Sequence, residues 1–494
     1  MEFISTRGKD KVASASHAIV KGLASDGGLF VPTFFPDFKN ELKDMLSMSY
    51  AEIATKVIGS YLDEYDKEDL LNACKKAYSK FDEGEAAPVV KIDDNFYVLE
   101  LFHGPTLAFK DIALTMLPYL LRKGADQVGI KERILILVAT SGDTGKAALE
   151  GFKDADGINI IVFYPEEGVS DMQKLQMRTQ EGDNVKVVSV KGNFDDCQTA
   201  VKNIFSDKKF NAELKEKGVI LSSANSINFG RLVPQVAYYF SAYIDLVNSG
   251  EISLGDKIDF CVPTGNFGNI LAGYYAKQMG LPVGKLVCAS NKNNVLTEFF
   301  NEGVYDSNRE FYKTMSPSMD ILISSNLERL IFELSGRNSA LIESRMNQLK
   351  LTKEYSLTKE EIDKLNAEFI AGYCDEDECL ETIADFFEET GYVFDTHTSV
   401  ASFVASGYLE DYKSKLPIVV LSTASPYKFP QNVLLALSGK TCKDAFMASN
   451  KLRDLTAYPI PEQISLLKTK EIRFSESVSK DATKDAVIKF ITNF

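Results

Sequence analysis

Residues 134–145 read Ile134-Leu-Ile-Leu-Val-Ala-Thr-Ser-Gly-Asp-Thr-Gly145, an aliphatic run followed by a turn of small and polar residues. Five aliphatic side chains in a row, bounded by turn residues, are typical of a parallel strand that is buried on both faces. The small residues from Thr144 onward favour a helix. The stretch therefore predicts a strand, a tight turn and a helix, the unit from which open α/β folds are built.

The same alternation continues downstream. Further short apolar runs lie at 158–164, 185–190, 219–221, 258–262, 286–288 and 417–421. Because helical periods separate several of these runs, they predict parallel strands joined by crossover helices. We predict an N-terminal domain with helical spacing at 1–95, a small α/β domain at 96–235, and a large α/β domain at 236–494 with a helical insertion at about 300–395.

Composition excludes several classes of function. The 494 residues include 55 basic and 70 acidic side chains, and the formal charge of -15 argues against nucleic acid or an anionic membrane as the main partner. The seven cysteines are scattered and odd in number, which indicates reduced thiols and a cytoplasmic protein. Only three histidines are present, too widely spaced for a metal-binding helix motif, so no metal site is predicted.

A lysine in mostly apolar company stands out upstream of the first strand. Lys110 ends the run Leu101-Phe-His-Gly-Pro-Thr-Leu-Ala-Phe-Lys110 and is followed by Asp111. Desolvation disfavours the charged amine, so its pKa falls and more of it is the free nucleophile near neutral pH, as a Schiff-base lysine requires. Taken alone, Lys110 fits a surface lysine after a loop better.

Two glycine-containing turns and one polar cluster follow predicted strands. The later turn is Pro263-Thr-Gly-Asn-Phe-Gly-Asn269, and the N–H groups at the start of the next helix favour an anion such as phosphate. It lacks the glycine spacing of dinucleotide and triphosphate loops, and a purely structural turn remains open. The earlier turn, within residues 139–145, is a second anion site by the same argument, although Ser141 or Thr144 can equally be a helix N-cap. In the cluster from Ser222, Arg231 can clamp a phosphate or cap a helix.

Together these motifs closely resemble the threonine synthase family, in the longer form with an extra N-terminal domain. The resemblance also covers Gly22-Leu-Ala-Ser-Asp-Gly-Gly-Leu-Phe30 and Ser422-Thr-Ala-Ser-Pro-Tyr-Lys428. It implies the fold of the fold type II pyridoxal phosphate (PLP) enzymes, which is similar to the tryptophan synthase beta chain, with two open parallel-sheet α/β domains and an N-terminal domain.

The resemblance also implies roles for individual residues. Lys110 would hold PLP as a Schiff base and act as the general base. The cofactor phosphate would be wrapped by Gly265, Asn266, Phe267, Gly268 and Asn269. Thr423 would face the pyridine nitrogen. The substrate would be bound by Ser141, Asp143, Thr144, Asn225, Ser226, Arg231 and Lys428.

The implied reaction converts O-phospho-L-homoserine and water into L-threonine and phosphate (EC 4.2.3.1), the last step of threonine biosynthesis. Asp143 stands where many fold type II relatives have Asn, which argues against cysteine synthase and serine dehydratase. A threonine-synthase-like phospholyase, which would give a keto acid without adding water, would keep nearly all the motifs, and a non-catalytic binding protein is a further alternative. We expect a monomer or homodimer that binds no nucleic acid and no membrane.

Overall fold

Two sheets, built largely of parallel strands, organise the chain. The computed structural model describes residues 1–82, 86–140, 142–167 and 169–492. Each of the apolar runs predicted to be strands contains a strand in the structure, so the α/β prediction is confirmed. Within the described residues, no helix combines the length and apolar character that crossing a membrane requires.

The N-terminal part contains a small antiparallel sheet besides the expected helices. Its central strand β1 pairs with β2 and β3, so that Phe3 lies opposite both Val12 and Pro32. Strands of two or three residues carry no readable period, which is why the sequence predicted helices only. The elements up to the first large strand are β1 (Phe3–Ser5), β2 (Lys11–Val12), α1 (Ala15–Lys21), β3 (Phe30–Pro32), α2 (Leu42–Met45), α3 (Tyr50–Tyr61), α4 (Lys67–Tyr78), β4 (Val89–Asp93), β5 (Phe96–Glu100), α5 (Lys110–Leu114) and α6 (Leu117–Gln127).

The smaller parallel sheet has five strands. Strands β6 and β7 are almost continuously aliphatic and buried, as expected for strands covered by helices on both faces. The elements are β6 (Arg133–Ala139), α7 (Asp143–Phe152), β7 (Ile158–Pro165), α8 (Asp171–Arg178), β8 (Val185–Lys191), α9 (Phe194–Ser206), α10 (Lys208–Glu216), β9 (Val219–Ser222) and the following α11 (Phe229–Asn248). The strand order is 8-7-6-9, and a strand at Ser477–Ser479 pairs with the outer edge of β8.

The larger sheet has six strands in the order β14-β11-β10-β15-β5-β4, of which only β4 runs antiparallel to its neighbour. The remaining elements are β10 (Ile258–Pro263), α12 (Gly268–Gln278), β11 (Val283–Ser290), α13 (Val295–Glu302), β12 (Val304–Asp306), α14 (Leu327–Leu334), α15 (Ser339–Thr352), β13 (Glu354–Ser356), α16 (Lys359–Glu368), β14 (Phe369–Tyr373), α17 (Glu376–Thr390), α18 (Thr396–Tyr412), β15 (Ile418–Ser422), α19 (Pro430–Ser438), α20 (Ala445–Thr456), α21 (Glu462–Ser465), β16 (Ser477–Ser479) and α22 (Thr483–Ile491).

Sheet membership differs from the sequence-based division in several places, beginning with β4, which lies in the range assigned to the N-terminal domain but joins the larger sheet. Strand β5 lies in the range assigned to the small domain, but it pairs with β15 of the larger sheet, with Val98 opposite Val420. Strand β16, near the end of the large-domain range, joins the smaller sheet. The segment 300–395, expected to be helical, contains the edge strand β14. Strands that are far apart in the sequence pair through their backbones, so the sequence around each strand does not indicate which sheet it joins. The division into three domains stays a prediction.

The carboxyl ends of four parallel strands define the region of interest. Strand β6 leads into the earlier turn, β10 into the later turn, β9 into the polar cluster and β15 into Thr423. In open α/β sheets, ligands bind in the crevice outside these strand ends.

Candidate active site

Lys110 is carried by a loop that is fastened to the segment following β15. The Phe109 N–H donates to the Thr423 carbonyl oxygen at 2.9 Å, and the Ser425 N–H donates to the Leu107 carbonyl oxygen at 3.1 Å. Thr423 is buried beside this loop. Two motifs that are far apart in the sequence therefore form one wall of the site.

Asp111 gives the lysine loop its shape. Its carboxylate accepts hydrogen bonds from the N–H and the hydroxyl of Thr106 at 2.7 and 2.6 Å. A Cβ at Gly104 would lie 2.6 Å from the carboxylate, so only glycine fits there. Burial raises the pKa of Asp111 to about 6, although the bonds from Thr106 oppose this rise. The side chain thus fixes the loop through Thr106, and its charge also opposes the lowering of the Lys110 pKa.

Lys110 has the depressed basicity that its sequence context predicts. Burial lowers the pKa of the amine to about 8; Asp143 opposes the shift, while Lys428 and Arg231 add to it. The amine also lies 4.7 Å from the ring centre of Phe109. A larger fraction of Lys110 is therefore neutral near pH 7 than for an exposed lysine.

A buried ion pair joins the earlier turn to the segment after β15. Asp143 Oδ1 lies 2.9 Å from Lys428 Nζ, and the two side chains are 2% and 1% exposed. Lys428 also donates to the Thr106 carbonyl oxygen at 2.9 Å, and Gln173 donates to Asp143 at 3.1 Å. Burial alone would raise the pKa of Asp143, but Lys428 and Lys110 hold it well below its usual range. The carboxylate therefore stays ionised throughout the neutral range.

The earlier turn uses part of its own hydrogen-bonding capacity. The Thr140 hydroxyl accepts from the N–H groups of Gly142 and Gly145, both at 3.0 Å. Helix α7 begins at Asp143, and Thr144 is partly exposed in its first turn. Ser141, the remaining predicted substrate residue of this turn, lies outside the described residues.

The later turn keeps its donors free. Phe267 adopts the left-handed conformation (φ 62°), with its ring packed against those of Phe300 and Phe369. Within the described residues, the N–H groups of Asn266, Phe267 and Gly268 donate to no acceptor. They lie at the start of α12, where the helix dipole favours negative charge. This is the geometry of a phosphate cradle.

Neutral side chains line the later turn. Asn269 Oδ1 accepts from the hydroxyls of Tyr238 and Tyr239 at 2.5 and 3.1 Å, which leaves its buried Nδ2 without a partner in the described part of the chain. A Cβ at Gly268 would have no atom nearer than 3.6 Å; the neighbours at 3.6–4.0 Å belong to Asn326, Gln235 and Ser226. The cradle therefore has both free donors and free space.

Two chains of contacts connect the later turn to the rest of the site, one to the earlier turn and one to Arg231. The backbone of Ser318 abuts Gly265, and its hydroxyl donates to Asp143 Oδ2 at 3.4 Å. Gln235, beside Gly268, donates to the carbonyl oxygen of Arg231 at 2.6 Å. Both turns thus belong to one site.

Arg231 supplies a buried cation to this site. One Nη donates to the Ala224 carbonyl oxygen at 2.6 Å, while the buried Nε has no partner among the described residues. Burial lowers the pKa of the guanidinium to about 10, so it remains charged. Of its neighbours in the polar cluster, Ser226 lies near Gly268, whereas Asn225 is exposed.

Sequence analysis missed four residues of the site. Gln173 and Ser318 contact Asp143, and Gln235 and Asn326 lie beside Gly268. Each comes from a segment outside the quoted motifs, and none carries a local pattern.

The residues present fit pyridoxal phosphate. The cofactor needs an amine for its aldehyde, which Lys110 provides, and donors for its phosphate, which the later turn and the unpartnered Asn269 Nδ2 provide.

Comparisons with known proteins agree with this fit. A family model described as pyridoxal-phosphate dependent enzyme matches residues 86–424, a model of the threonine synthase N terminus matches 2–78, and a model of the threonine synthase C-terminal part matches 398–491. The chain is therefore a PLP-dependent enzyme of fold type II, a lyase.

Similar proteins narrow the class. The threonine synthase of Saccharomyces cerevisiae is 35% identical, over 97% of this chain and 95% of its own. A PLP-bound threonine synthase structure from Brucella melitensis is 37% identical, with a TM-score of 0.89 and 99% of each chain covered. Human threonine synthase-like 1 is 42% identical over 92% of this chain, which spans 63% of that protein's length. The chain belongs to the threonine synthase family.

Proposed function

We propose that the protein converts O-phospho-L-homoserine and water into L-threonine and phosphate. The observation that carries this proposal is the composition of the cluster: an amine of lowered pKa, Lys110, lies beside the buried cations Arg231 and Lys428. The carboxylate of Asp143 is paired with Lys428, and that of Asp111 accepts its hydrogen bonds from Thr106. A substrate phosphate would supply an anion to Arg231, whose buried Nε has no partner among the described residues.

The residues divide the work between proton transfer and charge. PLP, when bound, accepts the electrons released as bonds to the substrate break. Lys110 is neutral often enough to take the Cα proton as a general base. Arg231, with its unused Nε, binds the substrate phosphate, and Lys428 adds its charge.

Other residues orient these groups. Asp143 orients Lys428 through their ion pair, and Asp143 itself accepts a hydrogen bond from Gln173. Thr144, Ser226 and Asn225 complete the proposed substrate contacts, together with Ser141. Thr423 faces the pyridine nitrogen in this proposal, and residues 265–269 bind the cofactor phosphate. A cytoplasmic location and a monomer or homodimer stay predictions.

One alternative reaction is a phosphate elimination, because similar proteins include threonine synthase-like 1 as well as threonine synthases, and the site motifs do not distinguish the two reactions. A phospholyase would use the same lysine and cations to eliminate phosphate, but would give a keto acid and ammonia instead of threonine. The two activities share every residue proposed above, so only the products separate them.

The test offers O-phospho-L-homoserine to the wild-type holoenzyme and to the Lys110→Ala variant, with Lys202→Ala as a control on the exposed face of α9. We expect threonine and phosphate in equal amounts from the wild type and the control, and a loss of about 1,000-fold or more in Lys110→Ala, since a general base alone contributes 100- to 10,000-fold. A keto acid with ammonia would establish the phospholyase. Threonine formation by Lys110→Ala at the wild-type rate would refute the role of this lysine.

A further inference from the structure

Arg329 on α14 is the largest fully buried side chain of the described residues, at 0% exposure. Its guanidinium donates to the Phe30 carbonyl oxygen at 3.0 Å, to Asn326 Oδ1 at 2.5 Å and to the Ile227 carbonyl oxygen at 2.6 Å. All three acceptors are neutral. Burial lowers the pKa of Arg329 to about 10, so the group remains charged.

In the described part of the chain no carboxylate accepts a hydrogen bond from this buried guanidinium, although Glu328 attracts it electrostatically. The adjacent Glu328 is already engaged, since it accepts from Arg7 at 2.8 and 3.0 Å and from the Thr6 hydroxyl at 2.6 Å. Buried cations in proteins are normally paired or face an anion. By contrast, the buried Arg345 on α15 has a bidentate ion pair with Glu361, at 2.6 and 2.7 Å. Arg329 therefore calls for an explanation that Arg345 does not.

Arg329 determines how Asn326 faces the phosphate cradle. Because Asn326 Oδ1 accepts from Arg329, the amide nitrogen must point the other way. Asn326 Nδ2 donates to the Asn266 carbonyl oxygen at 3.0 Å. It also lies 3.6 Å from the position that a Cβ on Gly268 would occupy. The Asn326 N–H donates to the same carbonyl at 3.1 Å. One guanidinium thus fixes both the shape of the later turn and the donor beside it.

The other two bonds of Arg329 connect further walls to the cradle. Ile227 follows Ser226, and the Cβ of Ser226 lies 4.0 Å from the position that a Cβ on Gly268 would occupy. Phe30 begins β3 and ends the motif Gly22–Phe30. The N-terminal sheet, the polar cluster and the cradle therefore meet at one buried charge.

We propose that Arg329 is a positioning residue for the cofactor phosphate: through Asn326 and Ile227 it holds the donors around Gly268 in place, and its buried charge, which donates only to neutral acceptors, favours the phosphate dianion. This role of Arg329 depends on the binding of PLP, which the family shares, and not on which reaction the enzyme catalyses. Its failure and that of the proposed function can therefore be distinguished.

The test measures the dissociation constants of PLP and of pyridoxal, which lacks the phosphate, by absorbance on the apoprotein. For Arg329→Met we expect PLP to bind at least 10-fold more weakly and pyridoxal to change less than 3-fold. Arg329→Lys, which keeps the charge, should recover part of the PLP affinity. The matched control is Arg345→Met, which also removes a buried guanidinium and should leave the ratio of the two constants unchanged.

Two outcomes would overturn the proposal. An equal loss of PLP and pyridoxal affinity in Arg329→Met would show that the residue acts only on folding. Dissociation constants for PLP and pyridoxal that both stay at the wild-type values in Arg329→Met would show that the cradle does not depend on it. Thermal unfolding of each apoprotein separates these results from a variant that fails to fold.

Discussion

The two turns that open this site are alike in sequence design and opposite in chemistry. Each follows a buried parallel strand and starts a helix, α7 in one case and α12 in the other. In the earlier turn the Thr140 hydroxyl occupies two of the backbone N–H groups, and a buried carboxylate stands at the helix start. In the later turn the N–H groups are free and the surrounding side chains are neutral.

The difference between the two turns matches the difference between a ligand that stays bound and one that must leave. A phosphate that stays bound is suited to fixed backbone donors, which cost little reorganisation. A substrate that must leave is suited to charges that already balance each other when it is absent, as Asp143 and Lys428 do. The same strand-turn-helix unit can therefore hold a cofactor or handle a substrate, depending on whether its donors are already used.

The largest effect is expected from breaking the charge balance of the earlier turn. Asp143→Asn leaves Lys428 as a buried cation without its partner, and removing one member of such a pair typically costs about 3–5 kcal/mol. We expect the free energy of unfolding, measured in urea, to fall by that amount.

A double variant shows whether charge is the cause. Asp143→Asn combined with Lys428→Met removes both charges, so we expect much of the lost stability to return. If the double variant were as unstable as the sum of the two single variants, the pair would not be coupled, and the contrast between the turns would not rest on charge.

Packing gives a second, smaller test of the comparison. A Cβ at Gly145 would lie 2.2 Å from Thr140 Cγ2 and 3.0 Å from Val162 Cγ1. Gly145→Ala therefore overpacks the earlier turn, and we expect a loss of about 1–3 kcal/mol in the free energy of unfolding of the apoprotein.

The equivalent change in the later turn should leave stability nearly intact. At Gly268 an added Cβ would have no atom within 3.5 Å. The free energy of unfolding of Gly268→Ala is therefore expected to lie within about 0.5 kcal/mol of the wild-type value. The added methyl group takes the space proposed for the cofactor phosphate, however, and the PLP dissociation constant should rise about 10-fold or more. Equal stability losses in Gly145→Ala and Gly268→Ala would contradict the assigned difference in free space.

The position of both turns could be predicted from sequence, because each turn is local, but the contrast between them could not. Strand β6, its turn and helix α7 are encoded within about twenty consecutive residues, as are β10, its turn and α12. The context of Lys110 also sufficed to predict a lowered pKa, since the apolar neighbours that desolvate it are adjacent in the chain.

The rest depends on contacts between distant segments. Sequence gave no sign that Lys428 pairs with Asp143 and so is already neutralised, nor that Thr140 occupies the N–H groups of its own turn. Strand β16 escaped prediction for the same reason: three partly polar residues become a strand only because β8 offers an edge. Long-range pairing of this kind is decided by the assembled fold.

The smallest expected effect is a shift in pH dependence, and it belongs to the earlier turn alone. Capture of an aldehyde needs the neutral amine, so its rate should rise with pH through a midpoint near the pKa of Lys110, about 8. Asp143 raises this pKa and Lys428 lowers it. Asp143→Asn should therefore move the midpoint to lower pH and Lys428→Met to higher pH.

The measurement is the rate at which Schiff-base absorbance appears after pyridoxal is added. Because pyridoxal has no phosphate, the later turn takes no part in this reaction, and Gly268→Ala should leave the midpoint unchanged. A midpoint that moved equally in all three variants would show that the two turns do not differ in their electrostatic influence on the lysine.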